Sequence, residues 1–538
     1  MSNEKEQEFL NVIEMASSMP QHMLLKMSAA NNSEKIAVVD VTHDKRCTYS
    51  ELWDRTNRLG NALLDLGIQK GDHLAVFSDD YIEVVEILYG ASKTGTVWTI
   101  LNARYMGPEA EYQINHSDAK VVFLGPGKYV DVIQSIRPKL EKVKHFIVFG
   151  DKQNVPNDMH SYEELLSNAS NSEPDVQVTA DDWDSLAYTS GTTGKPSASL
   201  RTHRAGIEWE LTATMGKRLG TSMDINKVMG YYPFYHWGGP VSTRPILAKG
   251  GTRYLITGSS LEKMVDTIEK ERVESIAMIP VMTARLLSLP GIEKRDLSSI
   301  KSWGSSGAAF NTSDRERLKQ LIPNAVIGEL YSSTEGVFAS ADLPYLEEAN
   351  KVRCSGLPPY GVECKILDEN FNEVPRGKIG KIFIKGTGTH NTYFKNEEKN
   401  KHTRTPDGEW LTSEDLGFMD QDGFVYVADR ARDVINTAGE LVQSLEVENI
   451  LSQHPKIDEV AVVSSPDPIY QERVTAVVVL KPGETASADE IKEWSRDKMA
   501  SFKLPRKVDF VPDIPKVGPN KMDKKTIRDW YWKGKFKV

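Results

Sequence analysis

The sequence predicts an α/β protein: a large N-terminal region of doubly wound, mostly parallel sheets, a small antiparallel β unit, and a small mobile α+β C-terminal domain. Three observations predict it. Short, continuously apolar runs alternate with helical-length segments up to about residue 150. Close-spaced short strands broken by Asp, Asn and Gly follow residue 350. Beyond residue 430 come two β-branched runs and one well-capped helix.

The elements follow in order. Leu52, Leu59, Leu63 and Leu66 recur near helical spacing, and Ser50 is the expected N-cap. Buried strands are expected at 74–77, 97–100, 121–124 and 146–149, with helices over 80–94 and 106–117. Runs that are apolar throughout suit strands covered on both faces. The alternation resumes after residue 200, with 275–279 the clearest strand. Residues 381–384 and 423–427 read as antiparallel strands. The last unit has runs at 460–463 and 474–480, then a helix opened by the capping box Ser487-x-x-Glu490. The Lys-rich tail from Lys516 to Lys537 reads as a solvated face.

Composition excludes several classes. The chain has 538 residues, 39% apolar and 26% charged, which is globular usage rather than disordered or fibrous. A net charge of −10 offers no general attraction to nucleic acid or anionic lipid. No apolar run approaches the roughly 20 residues of a membrane span, so no integral membrane segment is expected. The acidic start lacks a signal-peptide core. Cys47, Cys354 and Cys364 are too few and too far apart for a disulfide scaffold or zinc module, and a reducing cytoplasm is the expectation.

Three stretches could carry chemistry. Tyr188-Thr-Ser-Gly-Thr-Thr-Gly-Lys-Pro196 places hydroxyls, glycines and a lysine where they could wrap an anion. It is not a Walker A loop, since Pro196 follows Lys195. By composition alone a Ser/Gly surface linker explains it as well. Tyr331-Ser-Ser-Thr-Glu335 offers a carboxylate beside hydroxyls, suited to Mg²⁺ next to a nucleotide. Taken alone, a helix start with an acidic first turn is the plainer reading. Gly304-Ser-Ser-Gly-Ala-Ala309 has small residues that would let the backbone approach a flat ring, a weak signal by itself.

Taken in order with further segments, these stretches resemble the acyl-adenylate-forming superfamily, which includes acyl-CoA synthetases, luciferases and peptide-synthetase adenylation domains. Residues 188–196 match its phosphate loop, 231–236 its segment at the mouth of the acyl pocket, 306–309 its adenine-side loop, and 331–335 its Tyr-Gly-x-Thr-Glu motif. Residues 410–417 are similar to its Thr-Gly-Asp segment. Residues 429–435, with Gly439 and Glu446, resemble its hinge, and 515–528 the segment that supplies the catalytic lysine. Seven ordered matches over more than 300 residues make the resemblance highly specific. Three positions depart: Ser197-Ala198 replaces the usual Lys-Gly, Ser413-Glu414 precedes Asp415, and Asn520 replaces a Gly. The resemblance implies a large adenylating domain over 1–429, a hinge over 430–433, and a small domain over 434–538.

It also implies an AMP-forming carboxylate–CoA ligase. ATP and a carboxylic acid give acyl-AMP and pyrophosphate, and a thioester with CoA follows. Lys521 would be catalytic, with Glu335. Thr189, Ser190, Gly191, Thr192, Thr193, Gly194 and Lys195 would wrap phosphates. Gly307, Ala308, Ala309, Glu329, Tyr331, Ser332 and Thr334 would bind ATP as well, Tyr331 stacking on adenine, while Asp415 would hold the ribose with Arg430 assisting. Thr192 and Glu335 would bind Mg²⁺. His236, Trp237, Gly238, Gly239 and Gly307 would line the acyl pocket. Arg432 would be the hinge residue, and Gly439, Phe502 and Lys503 would meet CoA. His236 is the obvious general base by type. The attacking carboxylate is already ionised, however, so an aromatic gate is the better reading. Aromatic walls at 234–237 suggest an uncharged aromatic, alicyclic or medium-chain acid, with Gly238 and Gly239 either leaving room beside Trp237 for a ring or simply making a turn at a helix start. The alternative is a stand-alone adenylating enzyme that loads a carrier-protein thiol. Trp237 stands where amino-acid-activating relatives carry Asp, and no carrier domain is expected after Lys521. A catalytically silent relative would lack the lysine, the glutamate or the ribose aspartate, and all three are present. A homodimer is left open.

Overall fold

The computed structural model describes residues 2–534, apart from 151–154, 190–195, 216–223, 257–259, 308–309, 311, 343–346, 348–353, 390–391, 431–432, 434, 438–439, 468–470, 497, 500 and 517–521. Two compact units divide the chain: residues 1–363 with 384–411, and residues 364–383 with 412–538.

The first unit is built on two eight-stranded sheets. One runs Thr392–Phe394, Ser197–Thr202, Trp183–Thr189, Val97–Ile100, His73–Phe77, Ala119–Leu124, His145–Val148, His160–Ser161. Its centre is parallel, with Leu74 opposite Trp98 on one side and Val121 on the other. Leu74 and Val76 join one core cluster, Ala75 and Phe77 another. Both faces are therefore packed, and the strand sequences are apolar throughout for that reason. The other sheet runs Val337–Asp342, Val326–Ser332, Ser302–Ser306, Ser275–Met278, Lys227–Gly230, Thr252–Leu255, Ile36–Asp40, Lys45–Thr48. It is parallel except at its two edge strands.

Helix Tyr49–Asp65 corrects one expectation. Its N-cap is Thr48, not Ser50. Glu51 stands three residues on, so Thr48 Oγ1 accepts the Glu51 N–H at 3.2 Å and Glu51 accepts the Thr48 N–H at 2.7 Å. That reciprocal box satisfies two orphan donors, and Ser50 falls inside the first turn.

The second unit holds a four-stranded sheet, in which Leu411–Met419 and Val425–Arg430 pair antiparallel as expected. It also holds a five-stranded sheet: Glu440–Val442, Ile435–Thr437, Gln471–Leu480 and Ile457–Asp467, with Lys507–Phe510 parallel beside Gln471–Leu480. Only half of the expected capping box forms. Ser487 accepts the Glu490 N–H at 3.1 Å, but the Glu490 carboxylate turns to Lys456 at 2.7 Å. The basic tail is more than a solvated face. Lys524–Trp532 is a helix with Ile527 fully buried, and Lys516 and Lys524 each pair with a glutamate at 2.9 Å. Among the described residues no helix is long and apolar enough to cross a membrane.

A buried polar network ties the first unit together. Arg244, on helix Gly238–Ala248, donates to Asp184 at 3.0 Å and to Glu210 at 3.4 Å, and Gln21 donates to Glu210 at 3.2 Å. Burial pushes the Glu210 carboxyl up to about 7 against the pull of Arg244. Asp184 is buried too, but Arg244 and His203 overcome that and hold it well below the usual carboxylate range. A raised carboxyl binds its proton more tightly in the folded state. Stability from Glu210 is therefore present below its ordinary value of 4.5 and is lost as pH rises to about 7. Glu210→Gln is expected to remove that loss. Tm followed from about pH 5 to pH 8 should fall less in the variant, since a tenfold change in proton affinity is about 1.4 kcal/mol. Parallel curves would show that Glu210 does not carry the dependence.

Candidate active site

Four neighbouring parallel strands end side by side. Gly230 pairs with Ala277, Met278 with Ser305, and Ser306 with Leu330, so the carboxyl ends of 227–230, 275–278, 302–306 and 326–332 form one rim. In open α/β sheets ligands bind outside such ends. The sequence-predicted residues Gly307, Glu329, Tyr331, Ser332, Thr334 and Glu335 all lie there. Tyr232 reaches across to Ser306, oxygen to oxygen 2.9 Å, tying the acyl segment to the adenine-side loop. Gly307 adopts φ +87°, a left-handed conformation that side chains resist.

Residues 331–335 do not begin a helix. Tyr331 and Ser332 finish a strand, Ser333 donates its N–H to Gly336 O at 3.0 Å, and an antiparallel strand returns at Val337–Asp342. Tyr331 is half-buried with its ring 4.9 Å from Phe338, leaving part of its surface for stacking. Glu329 is engaged: Arg315 pairs with it, and burial raises its carboxyl. Glu335 is buried, and its two oxygens accept from Tyr393 OH and, at 3.2 Å, from Thr334 OH. A carboxylate held in this way is a hard oxygen ligand of the type divalent cations take. No group of three or more His, Cys, Asp or Glu among the described residues could hold a metal. One carboxylate completed by phosphate oxygens is the usual manner of holding Mg²⁺, so the residues fit that ion.

Tyr393 was missed in the sequence. It lies on strand Thr392–Phe394, opposite Ser199 of the strand that leaves the phosphate loop. It thereby connects that loop's stem to Glu335. The loop itself, Ser190 to Lys195, lies outside the described residues, but its stems are clear. Thr189 pairs with Ser197 and Tyr188 with Ala198 in an antiparallel ladder, so the segment joins two strands rather than a strand and a helix. Tyr112 OH donates to Pro196 O at 3.1 Å, and Tyr188 OH meets His116 Nδ1 at 2.8 Å. Where the family carries Lys, Ser197 is buried and receives the Asn396 amide at 3.4 Å.

Of the two readings of the acyl-segment glycines, the structure bears out the turn at a helix start. Gly238 and Gly239 do not leave open room. They start a helix, and a Cβ on Gly239 would lie 2.6 Å from Phe234 Cα, on Gly238 2.9 Å from the Tyr232 ring. The glycines allow the chain to turn tightly on itself. Trp237 is buried against Trp98 and Trp209, at ring distances of 6.0 and 6.2 Å, while His236 is exposed.

In the second unit Asp415 and Arg430 pair in register, and Ser413 OH donates to Asp415 at 2.7 Å. Glu414 occupies φ +68°, where the family's segment carries Gly. Left-handed backbone costs a side chain about 1–2 kcal/mol, partly offset by the entropy of a Gly in the unfolded chain. Glu414→Gly should therefore stabilise by up to about 1 kcal/mol, read as a higher urea midpoint with an unchanged slope. A lower midpoint would refute the strain. Of the expected CoA residues, Phe502 packs on the C-terminal core and Lys503 is paired to Glu446 at 2.7 Å. Lys503 would have to exchange that partner to meet a phosphate. Ala308, Ala309, Arg432, Gly439 and Lys521 lie outside the described residues.

This rim, with the antiparallel stem at 183–202, a half-buried tyrosine and a tethered carboxylate, agrees with an adenylate-forming enzyme. The chain belongs to the AMP-binding enzyme family, whose profile matches residues 25–394, while that of the AMP-binding enzyme C-terminal domain matches 446–521. It is 29% identical to the 3-methylmercaptopropionyl-CoA ligase of Ruegeria lacuscaerulensis, over 93% of this chain and 95% of the relative. It is 30% identical to the long-chain-fatty-acid–CoA ligase of Thermus thermophilus, over 90% of each. The crystal structure of the anthranilate CoA ligase AuaEII in complex with anthranoyl-AMP superposes with a TM-score of 0.86 at 25% identity, covering 96% of this chain and 98% of that one. The protein is an ATP-dependent, AMP-forming acid–thiol ligase of the acyl-CoA synthetase type.

Proposed function

We propose that the protein activates an aromatic, alicyclic or medium-chain carboxylic acid and passes the acyl group to CoA. The observation that carries this is the buried aromatic cluster of Trp98, Trp209 and Trp237 directly behind the segment joined to the adenine-side rim through Tyr232 and Ser306. An apolar body gains about 0.8 kcal/mol per buried methylene against such walls, and a substrate ammonium would find no carboxylate at Trp237.

In the first half-reaction a carboxylate oxygen attacks the α-phosphorus of ATP and pyrophosphate leaves. The nucleophile is already ionised, so positioning and charge neutralisation carry the step. Residues 189–195 hold the β- and γ-phosphates, Tyr331 stacks on adenine, and Asp415 with Arg430 holds the ribose. Lys521 bridges the carboxylate and α-phosphate. Glu335 and Thr192 hold Mg²⁺, which neutralises phosphate charge when bound. Tyr393 and Thr334 fix the Glu335 carboxylate for that task. Residues 434–538 then turn about 430–433, bringing Gly439 to the thiol path, with Phe502 and Lys503 toward CoA. The acidic chain and three separate thiols support a cytoplasmic setting.

The test is kcat/KM for benzoate, cyclohexanecarboxylate, hexanoate, acetate, palmitate and phenylalanine, by pyrophosphate release with and without CoA. Preference for one of the first three with CoA is expected. Preference for acetate, palmitate or phenylalanine would overturn the substrate class, and thioester formation only on a carrier protein would overturn the acceptor.

A further inference from the structure

Behind the acyl segment lies a set of hydrogen-bond donors that no described residue receives. Arg201, Trp209 and Trp237 are 0%, 3% and 7% exposed. Among the described residues, Nε and Nη2 of Arg201 and both indole Nε1 atoms have no hydrogen-bond partner. The three side chains are adjacent: the guanidinium stands 4.9 Å over the Trp237 ring, and Trp209 meets the same ring edge-on at 6.2 Å. Arg201 Nη1 has one long bond, 3.5 Å to Gly388 O. Buried donors are ordinarily satisfied, so four around one ring call for an acceptor that comes from outside the chain.

The chemistry of that acceptor is constrained. Glu335, Glu210 and Asp184 act electrostatically on Arg201, and Arg244 joins Glu210 and Asp184 from the other side. Burial lowers the Arg201 pKa to about 10, which leaves it charged near neutrality and already balanced by these carboxylates. A further buried anion would go uncompensated, whereas a neutral oxygen adds no charge.

We propose that the tail of the substrate acid carries an uncharged acceptor, a carbonyl, ether or hydroxyl oxygen, received by Arg201 and the two indoles, which makes Arg201 a specificity-determining residue. This rests on the reading of residues 231–240 as a wall of the acyl pocket. The donors are buried in the ligand-free chain, so the oxygen enters as the Trp237 ring moves aside. The site is built to hydrogen-bond and penalises a tail that leaves it unpaired.

The experiment compares 4-oxopentanoate, 5-oxohexanoate and 6-oxoheptanoate with their parent acids, and 4-methoxybenzoate with 4-ethylbenzoate, in wild type and Arg201→Met. At least one acceptor-bearing acid should exceed its hydrocarbon match in kcat/KM by on the order of 10²-fold, and that ratio should collapse in Arg201→Met. Trp237→Phe, which removes one N–H and keeps a ring, should lower the ratio by a smaller factor and serves if Arg201→Met does not fold by circular dichroism. Calorimetric titration of the same acids, with a non-hydrolysable ATP analogue present, reads the preference without turnover. Ratios near one in both assays, or ratios unchanged in the variants, overturn the inference and leave the ligase reading intact. Selective binding without CoA-dependent turnover of any acid would instead overturn the ligase reading and support the inference.

Discussion

Lys521→Ala is expected to abolish acyl-adenylate formation while sparing thioester formation from preformed acyl-AMP. The α-phosphorus gains negative charge as the carboxylate attacks, and a fixed ammonium between the two stabilises that charge only in the transition state. Removing one such stabiliser costs about 10²–10³-fold or more. The chain on either side of Lys521 is well anchored. Lys516 bridges Met522, the Asp523 N–H donates to Pro515 O at 2.7 Å, and Asp523 caps helix Lys524–Trp532 by accepting the Thr526 N–H at 3.0 Å. Alanine leaves those anchors untouched, so loss of activity reports chemistry rather than unfolding. Pyrophosphate exchange reads the first half-reaction, and single turnover of synthetic acyl-AMP with CoA reads the second. Adenylation at a near wild-type rate would show that another residue bridges the phosphate.

The parallel strands of the first unit were legible because burial on both faces imposes apolar residues at every position, as in Val121–Leu124. The phosphate stem and Glu335 were legible through motif order, since no single stretch distinguishes a loop from a linker. What the sequence hid were contacts between distant strands. Tyr393 reaches Glu335 across 58 residues, and nothing in Thr-Tyr-Phe marks one hydroxyl as the carboxylate's partner. Arg201 reads locally as an arginine in an ordinary strand, and only packing shows it buried beneath Trp237. Gly238 and Gly239 left two readings open. A glycine opens space or permits close approach, and the choice depends on a neighbour, here Phe234, that spacing does not reveal. Residues 331–335 taken alone read more plainly as a helix start, and the ladder to 337–342 decides for the strand.

Arg432→Pro should produce the reverse phenotype of Lys521→Ala: adenylation survives and thioester formation falls. In the proposed cycle one small domain serves both half-reactions by presenting different faces in turn, and a backbone torsion must change to allow it. Proline fixes φ near −65° and restricts the residue before it as well, so it holds the segment in one conformation. Strand Val425–Arg430 ends just before position 432, and Ile435 opens the next strand, which limits the torsional change to a few residues. Asp433 is buried and paired with Arg528 at 2.8 Å, so the residue following position 432 stays fixed to helix Lys524–Trp532. Adenylation should stay close to wild type, while CoA-dependent turnover should drop clearly below it, since closure is blocked. Arg432→Ala is the control. It removes the charge and keeps the torsion free, and both half-reactions should persist. Equal losses in the two half-reactions of Arg432→Pro would place the swivel elsewhere. Equal loss of thioester formation in Arg432→Ala and Arg432→Pro would assign the effect to the guanidinium instead.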